Sequence, residues 1–86
     1  MGKVMIRYWA AAKDAAGLAE ESVAAATLAE ALGVVVASRA PDARLRDVLE
    51  RSSILINGTR ASRVNAEEIA LPDGAVIEVL PPFAGG

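Results

Sequence analysis

The decisive stretch is Leu71-Pro72-Asp73-Gly74-Ala75-Val76-Ile77-Glu78-Val79-Leu80-Pro81-Pro82-Phe83-Ala84-Gly85-Gly86, which holds in order a turn, a strand and an unusual end. Pro72 presets the backbone for a turn and Gly74 supplies the positive φ that such a turn needs. Residues 75–80 then alternate, so that Ile77 and Val79 face a core while Val76, Glu78 and Leu80 face outward. Two prolines cannot donate to a ladder, and they stop this strand at Leu80. The only other stretch with comparable alternation is residues 3–9, where Val4, Ile6 and Tyr8 share one face and Met5, Arg7 and Trp9 the other. Both strands are apolar enough to be central. Paired in parallel with a helix over them, the first and last strands make a β-grasp sheet.

The residues between supply the helix and the remaining strands. An Ala-rich loop holding Lys13, Asp14 and Gly17 is expected after the first strand, followed by a short extended segment over residues 21–25. Thr27-Leu28-Ala29-Glu30 fits a capping box, in which the threonine hydroxyl accepts from the Glu30 N–H and the glutamate reaches back. Leu28, Ala31, Leu32 and Val35 continue from it as one apolar helical stripe. Pro41 stops that helix, and Asp42 is the expected N-cap of a second helical stretch of one to two turns carrying Leu45, Val48 and Leu49. Ser53–Ile56 reads as a compact strand, Asn57-Gly58 as a hairpin turn, and residues 59–64 as the returning strand. Asn57-Gly58-Thr59 also spells a glycosylation sequon, and the turn reading is preferred. Arg39, Arg44, Arg46 and Arg51 are read as a solvated helical face. The fold class is α+β: a mixed sheet with one main helix packed on one face. Residues 1–80 form the domain and residues 81–86 a projecting tail.

Composition narrows the chemistry. The chain has 86 residues, enough for one core, and 53% of them are hydrophobic but only 3% aromatic, so Val, Ile and Leu must fill that core. Zero cysteine removes disulfides, thiol nucleophiles and thiolate metal sites, and zero histidine removes the commonest general base and metal ligand. A net charge of −2 offers no basic excess for phosphates, so nucleic acid is not an expected partner. No apolar run reaches the length of a membrane span, and Arg7 breaks the early stretch nearest to a signal-peptide core. A soluble, cytoplasmic chain with no membrane partner is expected.

What remains as a reactive group is the end itself. Pro81 and Pro82 hold an extended path that carries the chain away from the sheet. The four residues after them span about 12–14 Å when extended, enough to enter a neighbouring protein's cleft. Pro81, Pro82, Phe83, Ala84 and Gly85 are the threading residues, and Gly85 and Gly86, lacking Cβ atoms, can pass a narrow channel. The Gly86 α-carboxylate is then the group delivered. A carboxylate is a poor electrophile and needs activation, most simply as an acyl-adenylate. The chain has no phosphate-binding loop, so an ATP-using partner must do this, and the chain itself binds no cofactor.

The sequence resembles the small, sulfur-carrier subunit of molybdopterin synthase, a ubiquitin-like β-grasp family, over essentially its whole length. The likeness is carried by Val4-Met5-Ile6-Arg7-Tyr8-Trp9-Ala10-Ala11-Ala12-Lys13-Asp14, by Ile56-Asn57-Gly58, and above all by Leu71-Pro72-Asp73-Gly74 with Val79-Leu80-Pro81-Pro82-Phe83-Ala84-Gly85-Gly86. The resemblance implies that an E1-like adenylyltransferase adenylates Gly86 and that sulfur then replaces AMP, leaving a thiocarboxylate. It implies a large subunit as partner, joined in a heterotetramer, on which cyclic pyranopterin monophosphate receives the sulfur during molybdenum cofactor biosynthesis. Trp9 and Leu80 match positions where the family places apolar partner contacts. On this reading the chain is a non-catalytic carrier subunit with no catalytic side chain of its own. A carrier for thiazole or cysteine synthesis, a ubiquitin-like protein modifier, and a non-carrier interaction domain are the alternatives.

Overall fold

The computed structural model describes residues 2–62 and 64–82. Its elements are β1 (Lys3–Tyr8), α1 (Ala10–Ala16), β2 (Glu20–Ala24), α2 (Leu28–Ala37), α3 (Arg44–Arg51), β3 (Ser53–Ile56), β4 (Thr59–Ala61) and β5 (Val76–Leu80). The strands form one mixed sheet in the order β2-β1-β5-β3-β4. β1 and β5 lie parallel at its centre, with Ile6 opposite Ile77 and Tyr8 opposite Val79, while every other pairing is antiparallel. The alternation read from the two decisive strands therefore sets the sheet: Val4, Ile6, Tyr8, Ile77 and Val79 are all buried.

These side chains share one core with Leu28, Ala31 and Val35 of α2 and Leu45, Val48 and Leu49 of α3, so the helices cover a single face. The opposite face carries Met5, Arg7, Val76, Glu78, Leu80 and Leu55, half-buried or exposed. A two-layer arrangement with one open sheet face follows.

Local chemistry explains the boundaries. Thr27 takes the N-cap of α2 and its hydroxyl accepts from Glu30 N at 3.2 Å. The return arm of the box differs from expectation, because Glu30 Oε1 accepts from Ala26 N at 2.7 Å, one residue before the cap. Thr27→Ala leaves the Glu30 N–H without this acceptor and is expected to cost about 1 kcal/mol. Urea titration, with an unchanged slope, is the measurement.

Four expectations need correction. The Ala-rich segment expected as a loop is the helix α1. Alanine has the highest helix propensity, and Gly17, at φ 85°, ends the helix by donating its N–H to Lys13 O at 2.9 Å. The N-cap of α3 is Ala43 rather than Asp42, although Asp42 Oδ1 still accepts from Arg44 N at 2.9 Å. The second strand sits one residue earlier, at Glu20–Ala24, and the strand after Asn57-Gly58 is only Thr59–Ala61. Asn57 and Gly58 themselves have φ 49° and 85°, as a two-residue hairpin turn requires.

Arg39 is no part of a solvated helical face. It follows α2, and its side chain, only 15% exposed, donates to Glu21 Oε2 at 2.6 Å, to Ala16 O at 3.2 Å and to Val35 O at 2.8 Å. Glu21 Oε2 also accepts from Tyr8 Oη at 2.6 Å, and the Arg39 guanidinium lies 5.7 Å from the Tyr8 ring centre. Arg44 and Arg46 are exposed as expected, paired with Asp42 and Asp47.

Candidate functional site: the root of the C-terminal segment

β5 runs through the middle of the sheet and ends at Leu80, and the chain then enters Pro81, which is buried, and Pro82, which is exposed. Phe83, Ala84 and Gly85, expected from the sequence to thread, and Gly86, the expected carrier terminus, lie outside the described residues. The root of this segment is built by the parallel neighbour. Trp9, immediately after β1, donates its N–H to Val79 O at 3.2 Å and so prolongs the β1–β5 ladder by one bond.

The turn from β1 into α1 is abrupt. Ala10 has φ 49°, a left-handed conformation that costs a Cβ-bearing residue about 1 kcal/mol or more. Trp9 O accepts from Ala12 N at 3.0 Å and from Lys13 N at 3.4 Å. The backbone of Trp9 is thereby held on both sides, and its side chain remains 48% exposed.

Trp9 and Leu80 lie on the same open face of the sheet. Leu80 follows Glu78 on the open face of β5, and the Trp9 indole reaches that face, with Nε1 donating to Glu78 Oε2 at 3.1 Å. Leu80 also stands opposite Ser53 of β3. Sequence reasoning placed Glu78 outward but gave it no partner; the β1–β5 register sets it opposite Arg7.

On the far side of Trp9 a groove of about 580 Å³ opens, walled by Arg7, Trp9, Lys13, Asp14 and Glu20. Arg7 Nε stands 3.6 Å from Glu20 Oε1 there, both about half-exposed. Two cations and two carboxylates line it, so it carries no strong preference for either sign. Among the described residues no group of three or more Asp or Glu side chains is placed to hold a metal ion. No helix of the described residues is long and apolar enough to cross a membrane.

A mixed sheet whose first and last strands run parallel at its centre, with helices on one face only, defines the ubiquitin-like β-grasp class used by sulfur carriers. The chain belongs to the ThiS family, whose match runs over residues 6–86. Its fold is similar to the solution structure of small archaeal modifier protein 1 from Methanosarcina acetivorans, with 24% identity, a TM-score of 0.81 and coverage of 100% of this chain and 98% of that one. It is also similar to a chain in the complex of subunits 1 and 2 of the molybdopterin-converting factor from Helicobacter pylori, with 25% identity, a TM-score of 0.70 and coverage of 98% and 99%. The thiamine biosynthesis protein ThiS from Geobacter metallireducens is a more distant likeness, with 19% identity, a TM-score of 0.53 and coverage of 95% and 99%. No curated protein matches the sequence.

Proposed function

We propose that this chain is the sulfur-carrier subunit of a molybdopterin synthase, carrying sulfur as a thiocarboxylate on Gly86. The observation that carries the reading is the end-to-end likeness to a chain of the Helicobacter pylori molybdopterin-converting complex, at 25% identity over 98% of this chain. It is joined by a central strand that leads directly into Pro81-Pro82-Phe83-Ala84-Gly85-Gly86. The likeness to the archaeal modifier, at 24% identity, bears on the fold alone.

The chemistry proceeds on the terminus. The Gly86 carboxylate attacks the α-phosphorus of ATP bound by an E1-like adenylyltransferase, forming the acyl-adenylate and releasing pyrophosphate. A sulfur nucleophile then adds to the acyl carbon, and the C–O bond to AMP breaks. The thiocarboxylate docks with the large subunit, its sulfur displaces an oxygen substituent from a carbon of cyclic pyranopterin monophosphate, and water hydrolyses the resulting thioester, which leaves the sulfur on the pterin and regenerates the Gly86 carboxylate. A fresh carrier is needed for each of the two sulfurs. This chain contributes no acid, base or cofactor to these steps: ATP belongs to the activating partner and the pterin pocket to the large subunit. The rigid sheet supplies a fixed origin for the tail, and the open face with Trp9 and Leu80 supplies the docking surface for both partners. Synthesis takes place in the cytoplasm.

The test is an intact-mass measurement in two stages. After incubation with ATP, the adenylyltransferase and a sulfur donor, the chain gains the mass of one oxygen replaced by sulfur. Addition of the large subunit with cyclic pyranopterin monophosphate then discharges it. Loading without discharge points to a carrier for thiazole or cysteine synthesis, and an adduct on the lysines of other proteins points to a modifier. Absence of loading by an enzyme that charges a known carrier rejects the carrier reading.

A further inference from the structure

The Trp9 backbone is fixed by three hydrogen bonds, to Val79, Ala12 and Lys13, while Trp9 itself is half-exposed and, among the described residues, its indole makes one polar contact, to Glu78. Glu78 occupies the middle of β5, in register with Arg7 of β1 on one side and Leu55 of β3 on the other. Arg7 is turned to the outer strand, where it pairs with Glu20. The Glu78 carboxylate is thus directed to the indole rather than to its cross-strand cation.

We propose that Glu78 is a positioning residue for docking of the molybdopterin synthase large subunit: its carboxylate holds the Trp9 indole in one orientation over the open sheet face, at the root of the last six residues. This rests on the reading of Trp9 and Leu80 as a docking surface. Two physical consequences follow. Holding the ring before the partner arrives removes the entropy of ordering a large side chain on binding, which is worth about three- to tenfold in affinity. A buried indole N–H also requires an acceptor. Glu78 supplies it from within the chain, so the partner can present an apolar surface to the ring. The carboxylate has further lone pairs beyond the one used by Trp9. The partner surface that fits is therefore apolar against Trp9 and Leu80, with one neutral hydrogen-bond donor placed over Glu78.

Trp9 is the only tryptophan of the chain, so its fluorescence reports this orientation directly. The experiment compares the parent with Glu78→Gln, Glu78→Ala and Trp9→Ala as full chains. It reads time-resolved indole anisotropy in the free protein and affinity for the molybdopterin synthase large subunit by calorimetry. Glu78→Ala is expected to add fast indole motion and weaken binding about fivefold. Glu78→Gln keeps an acceptor and is expected to stay within about twofold of the parent, with parental anisotropy. Unchanged anisotropy in Glu78→Ala overturns the proposal, and so does a Glu78→Gln variant as weak as Glu78→Ala, which would mean that charge rather than orientation matters. Parental binding by Trp9→Ala would instead reject the docking surface itself, and the anisotropy comparison would still decide whether Glu78 orders the ring.

Discussion

Deletion of Gly86, or addition of one residue after it, is expected to abolish sulfur loading while leaving the thermal midpoint within about 2 °C of the parent. The separation follows from where the core lies. Among the described residues the hydrophobic core runs from Val4 to Val79, and the ladder between β1 and β5 closes at the Trp9 N–H to Val79 O bond. On the proposed carrier reading the chemistry depends wholly on the Gly86 carboxylate, because the chain has no cysteine to carry sulfur by another route. Deletion leaves Gly85 as the terminus, one residue short of the adenylate site, and extension places the Gly86 carbonyl in a peptide bond. The measurement is the loading mass shift beside a thermal melt of each variant. Retained loading by the extended chain would sink the terminal-carrier reading, and a large fall in midpoint would give the tail a part in the core.

The sheet was legible because its two central strands carry strict two-residue alternation, and a buried face leaves no other register for Ile77 and Val79. The placement of Trp9 and Leu80 on the open face was legible for the same reason, since outward positions alternate with buried ones along both strands. α1 escaped because an alanine run has propensity without amphipathic pattern, and only Ala12 of its residues is buried. The length of β4 escaped because an edge strand is set by what pairs with it, not by its own residues. The Tyr8, Glu21 and Arg39 cluster joins β1, β2 and the segment after α2. No local spacing can announce a contact that exists only after three elements are packed, which is why Arg39 reads as one more surface arginine.

That cluster carries the largest stability effect expected from a polar substitution in this fold. Glu21 Oε2 takes hydrogen bonds from Tyr8 Oη and Arg39 Nη2, both at 2.6 Å, and Arg39 also ties the last turns of α1 and α2 through Ala16 O and Val35 O. The arginine and glutamate side chains are 15% and 23% exposed, so solvent screens the pair only in part. Removing one partner from a largely buried pair strands the other, and Arg39→Ala is expected to cost about 2–3 kcal/mol, below the fully buried range because of that residual exposure. Urea titration measures it, and a cost under about 0.5 kcal/mol would reduce the cluster to an ordinary surface pair. Tyr8 adds a pH signature. Burial, and then the Glu21 carboxylate beside it, push its hydroxyl well above the ordinary tyrosine range. A pKa raised in the folded state makes its contribution in full below the unfolded value, about 10, and loses it as pH climbs from there toward the folded value. Stability should therefore decline above about pH 10 with a slope that Tyr8→Phe removes. Tyr8 is the only tyrosine, so ultraviolet titration of the folded chain follows the same group, and ionisation near the ordinary value would mean that the hydroxyl is not held as described.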